Sequence, residues 1–457
     1  MAGVNQFIAL SCAFALLCGA TALATDRHVP GTYATIQAAI NACVAGDTVI
    51  IADGTYTGTG NKNLDFHGLA ITVRSASGAP ATCIIDSGNS GRGFYFHSGE
   101  SAAALVQGLT IRNGNVVYPG GGGVYCISAH PTLSNCVITG NTAQFFAGGL
   151  HCEHASPTLL DCTISGNAGT GGGGVSCEAS SNASLTNCLI VGNTSINNLG
   201  GGISSVDSSP TFTHCWIANN TAGNGGGVYS ANSGVIFTGC IITRNTGTNN
   251  GGGIYCAAAG TALRNCTIVG NIAGTAGGGL YCQSSSPVVT NCILWANTPQ
   301  QFDGYLGSPV VTHCDVQGGW SGDGNIDADP LFRDPDGPDN DPSTIADNDY
   351  RLTFASPCLD AGDNGVVPAG SLDLDGHPRI ARFVVDMGAY EIPFGDLDCS
   401  GTIGFGDINP FVLALSNPPA YAQMYPDCPP LHGDMDADGE VGFGDINPFV
   451  AALTGGK

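Results

Sequence analysis

The sequence predicts an all-β fold, a parallel β-solenoid with about 26 residues per coil, followed by a small α-helical module. Three observations support this prediction: a 26-residue repeat of apolar residues, a glycine count of 70, and a charged fraction of only 11%. Short buried strands joined by tight turns account for all three, because each coil buries its apolar residues against its neighbours. At 43% hydrophobic residues, the chain is too apolar to be disordered.

The repeat is clearest in a column of cysteines spaced 25 to 27 residues apart. An aliphatic residue stands two positions after each cysteine, and an asparagine stands five positions after it. Two further apolar columns begin at Val124 and Leu133, so each coil contains short strands with alternate residues buried. The rule for parallel crossovers predicts a right-handed solenoid. The cysteines of the column are Cys136, Cys162, Cys188, Cys215, Cys240, Cys266 and Cys292.

The start of the chain has the pattern of a signal peptide. An apolar run from Phe7 to Leu17 precedes Ala22-Leu23-Ala24, a small-residue cleavage pattern. The run is too short to span a membrane, and no other candidate span follows it. We therefore expect a secreted, extracellular or cell-surface protein. The segments predicted along the chain are a signal peptide at 1–24, a β-helix with an N-terminal helical cap at 25–314, an acidic C-terminal cap at 315–393, and a calcium-binding module at 394–457.

The net charge of −24 is concentrated at the C-terminal end. Of the 36 acidic residues, 25 stand from Asp315 onward. Nucleic acid is excluded as a partner, because phosphate neutralisation requires clustered Lys and Arg. Calcium is favoured, because hard divalent ions bind carboxylate and carbonyl oxygens.

Two parts of the repeat region resemble known families. The segment Gly46-Asp47-Thr48-Val49-Ile50-Ile51, which follows a short predicted helix over Tyr33 to Ile40, resembles the start of pectate-lyase-like β-helix proteins. The Gly-Gly-aliphatic and Cys-x-Ile-x-x-Asn units resemble repeats of the polymorphic outer-membrane proteins, which are surface adhesins. The resemblance covers roughly Val29 to Cys314. It implies a right-handed parallel β-helix and brings no catalytic residue with it.

The repeat cysteines are predicted to be free interior residues. In-register cysteines on neighbouring strands would have Cβ atoms about 4.8 Å apart, which is beyond the separation that disulfides favour. Ser205 and Ser230 replace cysteine in one column, so the position favours a small residue. Cys399 and Cys428 remain as the best candidates for a disulfide.

The repeats offer few groups for catalysis. Glu153 and Glu178 each follow a column cysteine and should lie one coil apart on one outward stripe. Such a pair could share a proton or bind a cation, but a solvated surface pair is the favoured interpretation. His151 is interpreted as a surface residue rather than a catalytic base.

The outward stripe also carries three successive tyrosines. Tyr229, Tyr255 and Tyr281 could present hydroxyl tips to sugar rings, which would make them a carbohydrate-binding surface. The alternative is an aromatic ladder that stabilises the sheet.

Two near-identical acidic loops near the C-terminus have the spacing of EF-hand calcium loops. Oxygen-bearing residues stand at positions 1, 3, 5 and 12, with glycine at position 6 and a backbone carbonyl at position 7. Each loop is followed by a predicted helix with proline in its first turn, Pro410 or Pro448. The predicted metal ligands are Asp396, Asp398, Ser400, Thr402 and Asp407 in the first loop, and Asp434, Asp436, Asp438, Glu440 and Asp445 in the second.

The paired loops resemble dockerin modules over Gly395 to Leu453. The resemblance implies bound calcium and a cohesin-like protein partner. The chain departs from the family pattern in the wide 38-residue spacing of its loops and in Ser400, a weaker ligand than aspartate. Phe-Gly pairs at 405–406 and 443–444 also replace the usual small hydroxyl residues.

Two hypotheses of function follow. The favoured one is a non-catalytic surface protein that binds polysaccharide or another surface along its coils and is anchored through the calcium module. The alternative is a polysaccharide lyase or glycoside hydrolase of the pectate-lyase-like superfamily. Its site would lie in the irregular coils from Asp65 to Arg112, which contain Arg74, Asp86, Arg92 and Arg112.

Overall fold

The computed structural model of the protein describes residues 24–341, 343–381, 384–392, 394–400, 403–426, 428–435 and 440–454. The predicted signal peptide therefore lies outside the described residues, apart from its last position.

The chain winds into a solenoid with four parallel sheets, one strand of a sheet per coil. Sheet 1 contains Asp26–Val29, Thr48–Ile51, Thr72–Ser75, Leu105–Gln107, Thr132–Ser134, Thr158–Leu160, Ser184–Thr186, Thr211–Thr213, Ile236–Thr238, Ala262–Arg264, Val288–Thr290 and Val310–Thr312. Sheet 2 contains Gly54–Tyr56, Cys83–Asp86, Thr110–Arg112, Val137–Thr139, Thr163–Ser165, Leu189–Val191, Trp216–Ala218, Ile241–Thr243, Thr267–Val269, Ile293–Trp295 and Asp315–Val316.

The other two sheets complete each coil. Sheet 3 contains Phe94–Phe96, Val124–Ile127, Leu150–Glu153, Val175–Glu178, Ile203–Val206, Val228–Ala231, Ile254–Ala257, Leu280–Gln283 and Phe302–Tyr305. Sheet 4 contains Asn115–Val116, Thr142–Ala143, Ala168–Gly171, Thr194–Leu199, Thr221–Ala222, Thr246–Gly247 and Ile272–Ala273.

The strand register confirms the predicted columns. Ile138 pairs with Ile164 in sheet 2, and the column that begins at Leu133 stacks in the same way in sheet 1. The column that begins at Val124 forms the inward residues of sheet 3. These side chains are fully buried in one continuous core. Like residues therefore stack on like residues, which is how a solenoid buries apolar surface that one coil cannot bury alone.

Two elements were not predicted from the repeat. Sheet 4 lies in segments interpreted as turns, because five of its seven strands have only two residues and are too short to show alternation. The first strand, Asp26–Val29, buries only Val29 and pairs on one side with Thr48–Ile51. Arg27 at this edge forms an ion pair with Asp47 at 2.6 Å. An edge strand with so little burial carries almost no hydrophobic signal.

The asparagine column forms a buried ladder. The side-chain oxygen of Asn193 accepts hydrogen bonds from both the backbone and the side-chain nitrogens of Asn167, each at 3.0 Å. The Asn193 amide nitrogen donates to the Ile164 carbonyl at 2.9 Å and to the Asn220 side chain at 3.0 Å. The ladder therefore satisfies the backbone of the turn between sheets 2 and 4 in the coils from Asn141 to Asn297.

The cysteine prediction is also confirmed. All sixteen free cysteines among the described residues are buried, and the cysteines of the repeats stack in register, as Cys126 does on Cys152. Cys399 and Cys428 form a disulfide with Cα atoms 5.9 Å apart.

The helix Ile36–Asn41 covers the first coil. Thr35 caps it by accepting a hydrogen bond from the Ala38 amide, and Ile36, Ala39 and Ile40 are buried against the core. The prediction started this helix three residues too early, because the capping threonine precedes the helix that it stabilises.

The acidic segment after Asp315 extends along the flank of the solenoid as well as over its end. Its strands Phe332–Asp334 and Asp349–Leu352 pair antiparallel, and a 3₁₀ turn spans Asn364–Val366. Tyr350 lies 3.0 Å from the Thr243 hydroxyl and packs with Ile241 and Val269 on the outer face of sheet 2. This face is apolar in the late coils, so it requires cover.

The C-terminal module is helical. Its helices are Ile408–Ser416, Pro418–Met424 and Ile446–Leu453, and 3₁₀ turns span Phe405–Asp407, Pro430–Gly433 and Phe443–Asp445. The rings of Phe411 and Phe449 stack at 4.1 Å in its core. The module contacts the preceding segment through His432, whose ring packs edge-on against Phe354.

Candidate functional site

A cleft of about 210 Å³ lies on the outer side of sheet 3, where the loops next to sheet 4 overhang it. We call it the Glu153 cleft. It combines aromatic rings with carboxylates on a rigid β-scaffold. Its lining residues are Tyr118, Phe146, Glu153, Glu178, Ala179, Val206 and Asp207.

The aromatic residues of the cleft come from two loops in neighbouring coils. Tyr118 is 69% exposed, and it packs against Phe145 and Phe146 with ring centroids 6.0 and 6.4 Å apart. Phe146 has φ = 58°, a left-handed conformation that costs a bulky residue on the order of 1–3 kcal/mol. This conformation folds the Phe146 ring back over sheet 3, where it stacks on His151 at 4.4 Å.

The carboxylates come from three successive coils. Glu153 pairs in register with Glu178, as predicted, and Glu178 pairs with Val206, which precedes Asp207. The Tyr125 hydroxyl donates a hydrogen bond to Glu153 Oε2 at 2.7 Å. Glu153, Glu178 and Asp207 form a row of hydrogen-bond acceptors that runs parallel to the solenoid axis. We call it the carboxylate row.

Glu178 is not the solvated surface residue that the sequence favoured. Burial raises its pKa to about 7, and the negative charges of Glu153 and Asp207 act in the same direction. The Ser176 hydroxyl donates to Glu178 at 3.3 Å and only partly offsets this effect. The loops that carry Tyr118 and Phe146 raise the pKa of Glu178 in this way, because they exclude water from the outward face of sheet 3 on which it lies.

His151 is also not a surface residue. It is 1% exposed, because the rings of Tyr125 and Phe146 cover its two faces. Burial lowers the pKa of His151 to about 3, so the imidazole is neutral at physiological pH. Neither ring nitrogen has a hydrogen-bond partner among the described residues. The same holds for the hydroxyl of Ser204, two strands away on the same outward column.

The irregular early coils do not assemble the site that the alternative hypothesis required. Arg112 forms an ion pair with Asp86 at 2.9 Å on sheet 2. Arg92 precedes the sheet 3 strand Phe94–Phe96, and its guanidinium lies over the rings of Tyr95 and Tyr125 at about 5 Å. Arg74 contacts a backbone carbonyl in sheet 1. These residues are distributed over three faces of the solenoid.

The tyrosine stripe is present as a stacked ladder. Tyr229, Tyr255 and Tyr281 stack with ring centroids 5.2 Å apart. Tyr255 is 7% exposed, and its hydroxyl donates to the Gln283 side chain. The ring faces contact one another, so the stripe offers ring edges and hydroxyl groups to a ligand. Its role in sugar binding stays a prediction.

The first acidic loop brings three predicted ligands together. Asp396, Asp398 and Asp407 offer oxygen atoms within 4.8 Å of one another. Oxygens that share one calcium ion lie about 2.3–2.6 Å from it, so this separation fits a common ion. Asp407 is held by the backbone amides of Asp398 and Gly404, and the Ser400 amide donates to Asp396. Thr402 lies outside the described residues.

The second loop repeats the arrangement where it can be compared. Asp445 accepts hydrogen bonds from the backbone amides of Met435 and Gly442, and the bond from Gly442 is equivalent to the one from Gly404 to Asp407. Asp434 and Asp445 are both buried, each at 1% exposure. Asp436 and Asp438 lie outside the described residues.

A second cluster of possible metal ligands lies in the acidic cap, where its side chains have structural partners. Asp373, Asp375 and His377 lie close together. The Asp373 carboxylate already accepts three backbone amide hydrogen bonds, and Asp375 is bound by the Arg351 guanidinium. The cluster therefore stabilises turns.

Several groups with raised pKa values predict how stability depends on pH. Burial is the largest cause in each case. It raises the pKa to about 6 for Asp315 and about 7 for Glu178, and it also raises the pKa values of the neighbouring Asp386 and Glu391. The folded protein keeps these protons at pH values where the unfolded chain has released them. The free energy of unfolding should therefore fall as pH rises from about 4 through these values.

His151 acts in the opposite sense, because its lowered pKa makes folding less favourable as pH falls below 6.5. With four carboxyls against one imidazole, the melting temperature should be higher at pH 5 than at pH 8. Differential scanning calorimetry measures it, and Glu178→Gln should reduce the difference. A melting temperature that is equal or higher at pH 8 would contradict this expectation.

Comparison with known proteins agrees with the fold. The family model described as right-handed beta helix region matches residues 48–240 and 193–323, which together cover more than half of the chain. The chain belongs to this family, which confirms the predicted handedness. The C-terminal module lies beyond the matched residues. No curated protein sequence matches the chain significantly.

Among solved structures, pectate lyase Pel9A is similar to this chain, with a TM-score of 0.53 and 15% sequence identity. The similarity covers 80% of this chain and 96% of that one, and it shows the fold alone. Rice weevil pectin methyl esterase also matches, at 13% identity over 62% of this chain and 88% of that one. Its TM-score of 0.23 is too low to carry an argument. None of the described helices is long and apolar enough to span a membrane.

Proposed function

We propose that this protein is an extracellular polysaccharide-binding β-helix whose glycan site is the Glu153 cleft. The observation that carries the proposal is the combination in one cleft of the exposed Tyr118 ring, the Phe146 ring and the carboxylate row. Aromatic faces pack against the apolar faces of sugars, and carboxylates accept hydrogen bonds from sugar hydroxyls. The apolar segment within residues 1–24 supports export.

Affinity electrophoresis in gels that contain soluble polysaccharides tests this proposal. The wild-type protein should be retarded by at least one polymer. Tyr118→Ala should weaken binding about tenfold, because the aromatic contact is worth roughly 1.4 kcal/mol. Tyr118 is exposed, so the fold should persist. Tyr281→Ala in the tyrosine stripe is the matched control. A loss of binding in Tyr281→Ala alone would move the site to the stripe, and no retardation by any polymer would contradict the proposal.

Cleavage of the bound polysaccharide is the second candidate function. Glu178 has a raised pKa and lies on the strand next to Glu153, and paired carboxyls of this kind serve as acid and nucleophile in glycosidases. The similarity in fold to the solved structure of pectate lyase Pel9A supports testing this candidate. New reducing ends or unsaturated products that disappear in Glu178→Gln would support it.

We propose that the C-terminal module binds two calcium ions and docks to a cohesin-like protein. The ligand sets of the two loops support calcium. Phe405 and Phe443 replace the small hydroxyl residues usual in dockerins, and their exposed rings support an apolar docking face. These phenylalanines occupy equivalent positions before the two loop helices and are 85% and 84% exposed. Capture by an immobilised cohesin-like domain in calcium, lost in chelator and in the double variant Phe405→Ala, Phe443→Ala, is the expected result. Equal capture of the double variant would contradict the docking face.

A further inference from the structure

The charge of the Glu153 cleft restricts what it can bind. Glu153, Glu178 and Asp207 line it, and among the described lining residues there is no Lys or Arg. A chain of uronic acids carries one carboxylate per sugar unit. Such a chain would place like charges against the carboxylate row at short range, which is unfavourable in a partly desolvated cleft.

The cation on this face of the solenoid is not available to neutralise an acidic ligand. Arg92 is 8% exposed, because the rings of Tyr95 and Tyr125 cover its guanidinium. Its side-chain nitrogen also donates to the Pro119 carbonyl. Arg92 therefore stabilises the aromatic column beneath the cleft instead of facing a ligand.

A bridging calcium ion is not supported at this cleft either. Among the residues that the structure describes, groups of three metal-ligating side chains converge in the first calcium loop and at Asp373, and not in the carboxylate row. The three carboxylates come from three coils, and neighbouring strands of one sheet lie about 4.8 Å apart. They form a row of acceptors and do not surround a common point.

Uncharged polar groups complete this face. Residues two apart on a strand point to the same side of a sheet, so His151 points outward with Glu153 and Ser204 points outward with Val206. Both side chains are at most 1% exposed, and their ring nitrogens and hydroxyl have no hydrogen-bond partner among the described residues. Buried polar groups require a polar partner. Neither side chain lines the cleft, so the carboxylate row and the aromatic rings determine which ligand it accepts.

We infer that the Glu153 cleft selects an uncharged glycan and discriminates against polyuronates. The inference rests on the proposed polysaccharide binding and narrows it to one ligand class. Hydroxyl groups of the glycan donate to the carboxylate row, and the rings of Tyr118 and Phe146 contact its apolar faces. Because the row runs along the axis over three coils, about 10 Å, the glycan chain lies parallel to the solenoid axis.

Binding constants for two sets of soluble polymers test the inference. The uncharged set is xylan, galactomannan and hydroxyethyl cellulose, and the acidic set is polygalacturonate and alginate. Measurements at pH 8 and low ionic strength keep the carboxylate row charged and unscreened. At least one uncharged polymer should bind ten times more tightly than either polyuronate. Added salt should strengthen the residual polyuronate binding and leave uncharged binding unchanged.

The triple variant Glu153→Gln, Glu178→Gln, Asp207→Asn removes the charges and keeps the side-chain shapes. It should bind polyuronates at least five times more tightly than the wild type does. The matched control is Asp161→Asn, which removes an exposed carboxylate from a turn between sheets 1 and 2 and should change neither affinity.

The outcomes separate this inference from the proposal on which it rests. A polyuronate that binds as tightly as every uncharged polymer would overturn the inference and leave polysaccharide binding standing. Polyuronate binding that requires calcium and is lost in the triple variant would overturn it in the same way. Binding of no polymer would overturn both.

Discussion

Replacing Asn193 with alanine is expected to destabilise the protein by about 3–5 kcal/mol, because each buried polar group left without a partner costs about 1–3 kcal/mol. The substitution removes the side-chain oxygen that accepts from two nitrogens of Asn167. It also removes the donor to the Ile164 carbonyl and one donor to the Asn220 side chain. The Asn167 backbone amide and the Ile164 carbonyl lose these bonds in the dry interior, where water cannot replace them. The Asn167 side chain keeps its bond to the Ile138 carbonyl, and the Asn220 oxygen keeps the one from the Asn193 backbone.

Urea denaturation followed by tryptophan fluorescence measures this effect as a lower transition midpoint. Asn197→Ala is the control, because Asn197 lies in the same coil with an exposed side chain. Its midpoint should stay close to that of the wild type. Similar midpoints for Asn193→Ala and the wild type would mean that the ladder contributes little to stability.

Calcium is expected to stabilise the C-terminal module strongly. A ligand that binds only the folded state at about 1,000 times its dissociation constant contributes about 4 kcal/mol. Asp396, Asp398 and Asp407 lie close together, so their mutual repulsion is relieved when a divalent ion binds between them. The module should therefore melt at a higher temperature in calcium than in chelator.

Titration calorimetry of the whole protein measures the number of ions. Two ions per chain are expected for the wild type. Asp407→Ala and Asp445→Ala should each bind one, since each removes the last ligand of a different loop. Asp161→Asn should still bind two. An absence of binding heat, together with an unchanged melting temperature in chelator, would contradict the calcium assignment.

The solenoid could be predicted from the sequence because its packing is periodic. Each Ile of the column that contains Ile138 lies in register on the next, so one short pattern is repeated coil after coil. The segment Gly46 to Ile51, which resembles the start of pectate-lyase-like β-helix proteins, contains the strand Thr48–Ile51, whose apolar residues are continuous and buried. The helices Ile408–Ser416 and Ile446–Leu453 follow the two acidic loops as expected.

The Glu153 cleft could be predicted only in part. The repeat placed Glu153 and Glu178 on one outward stripe, and the register confirms this. It could not place Tyr118 or Phe146, which belong to loops outside the periodic columns. The left-handed backbone of Phe146 is a tertiary property, and it turns His151 from an outward residue into a buried one. Loop conformation therefore decides the exposure of a stripe whose direction the strand period sets.

The acidic segment after Asp315 could also be predicted only in part. Its composition indicated a cap, but its path along sheet 2 depends on apolar outward residues such as Trp216 and Trp295 in the late coils. Trp216 and Trp295 fit neither the pattern of the inward apolar columns nor the pattern of the outward polar positions. They indicate where the acidic segment packs only once the structure shows that they lie on the outer face of sheet 2.

A crystal structure of the protein with a bound oligosaccharide of the polymer that binds most tightly tests the central claim most directly. We expect sugar units in the Glu153 cleft, against Tyr118 and Phe146, with their hydroxyl groups donating to Glu153 and Glu178 and the chain parallel to the solenoid axis. Sugar units bound at Tyr229, Tyr255 and Tyr281 instead, with the Glu153 cleft free of ligand, would contradict it.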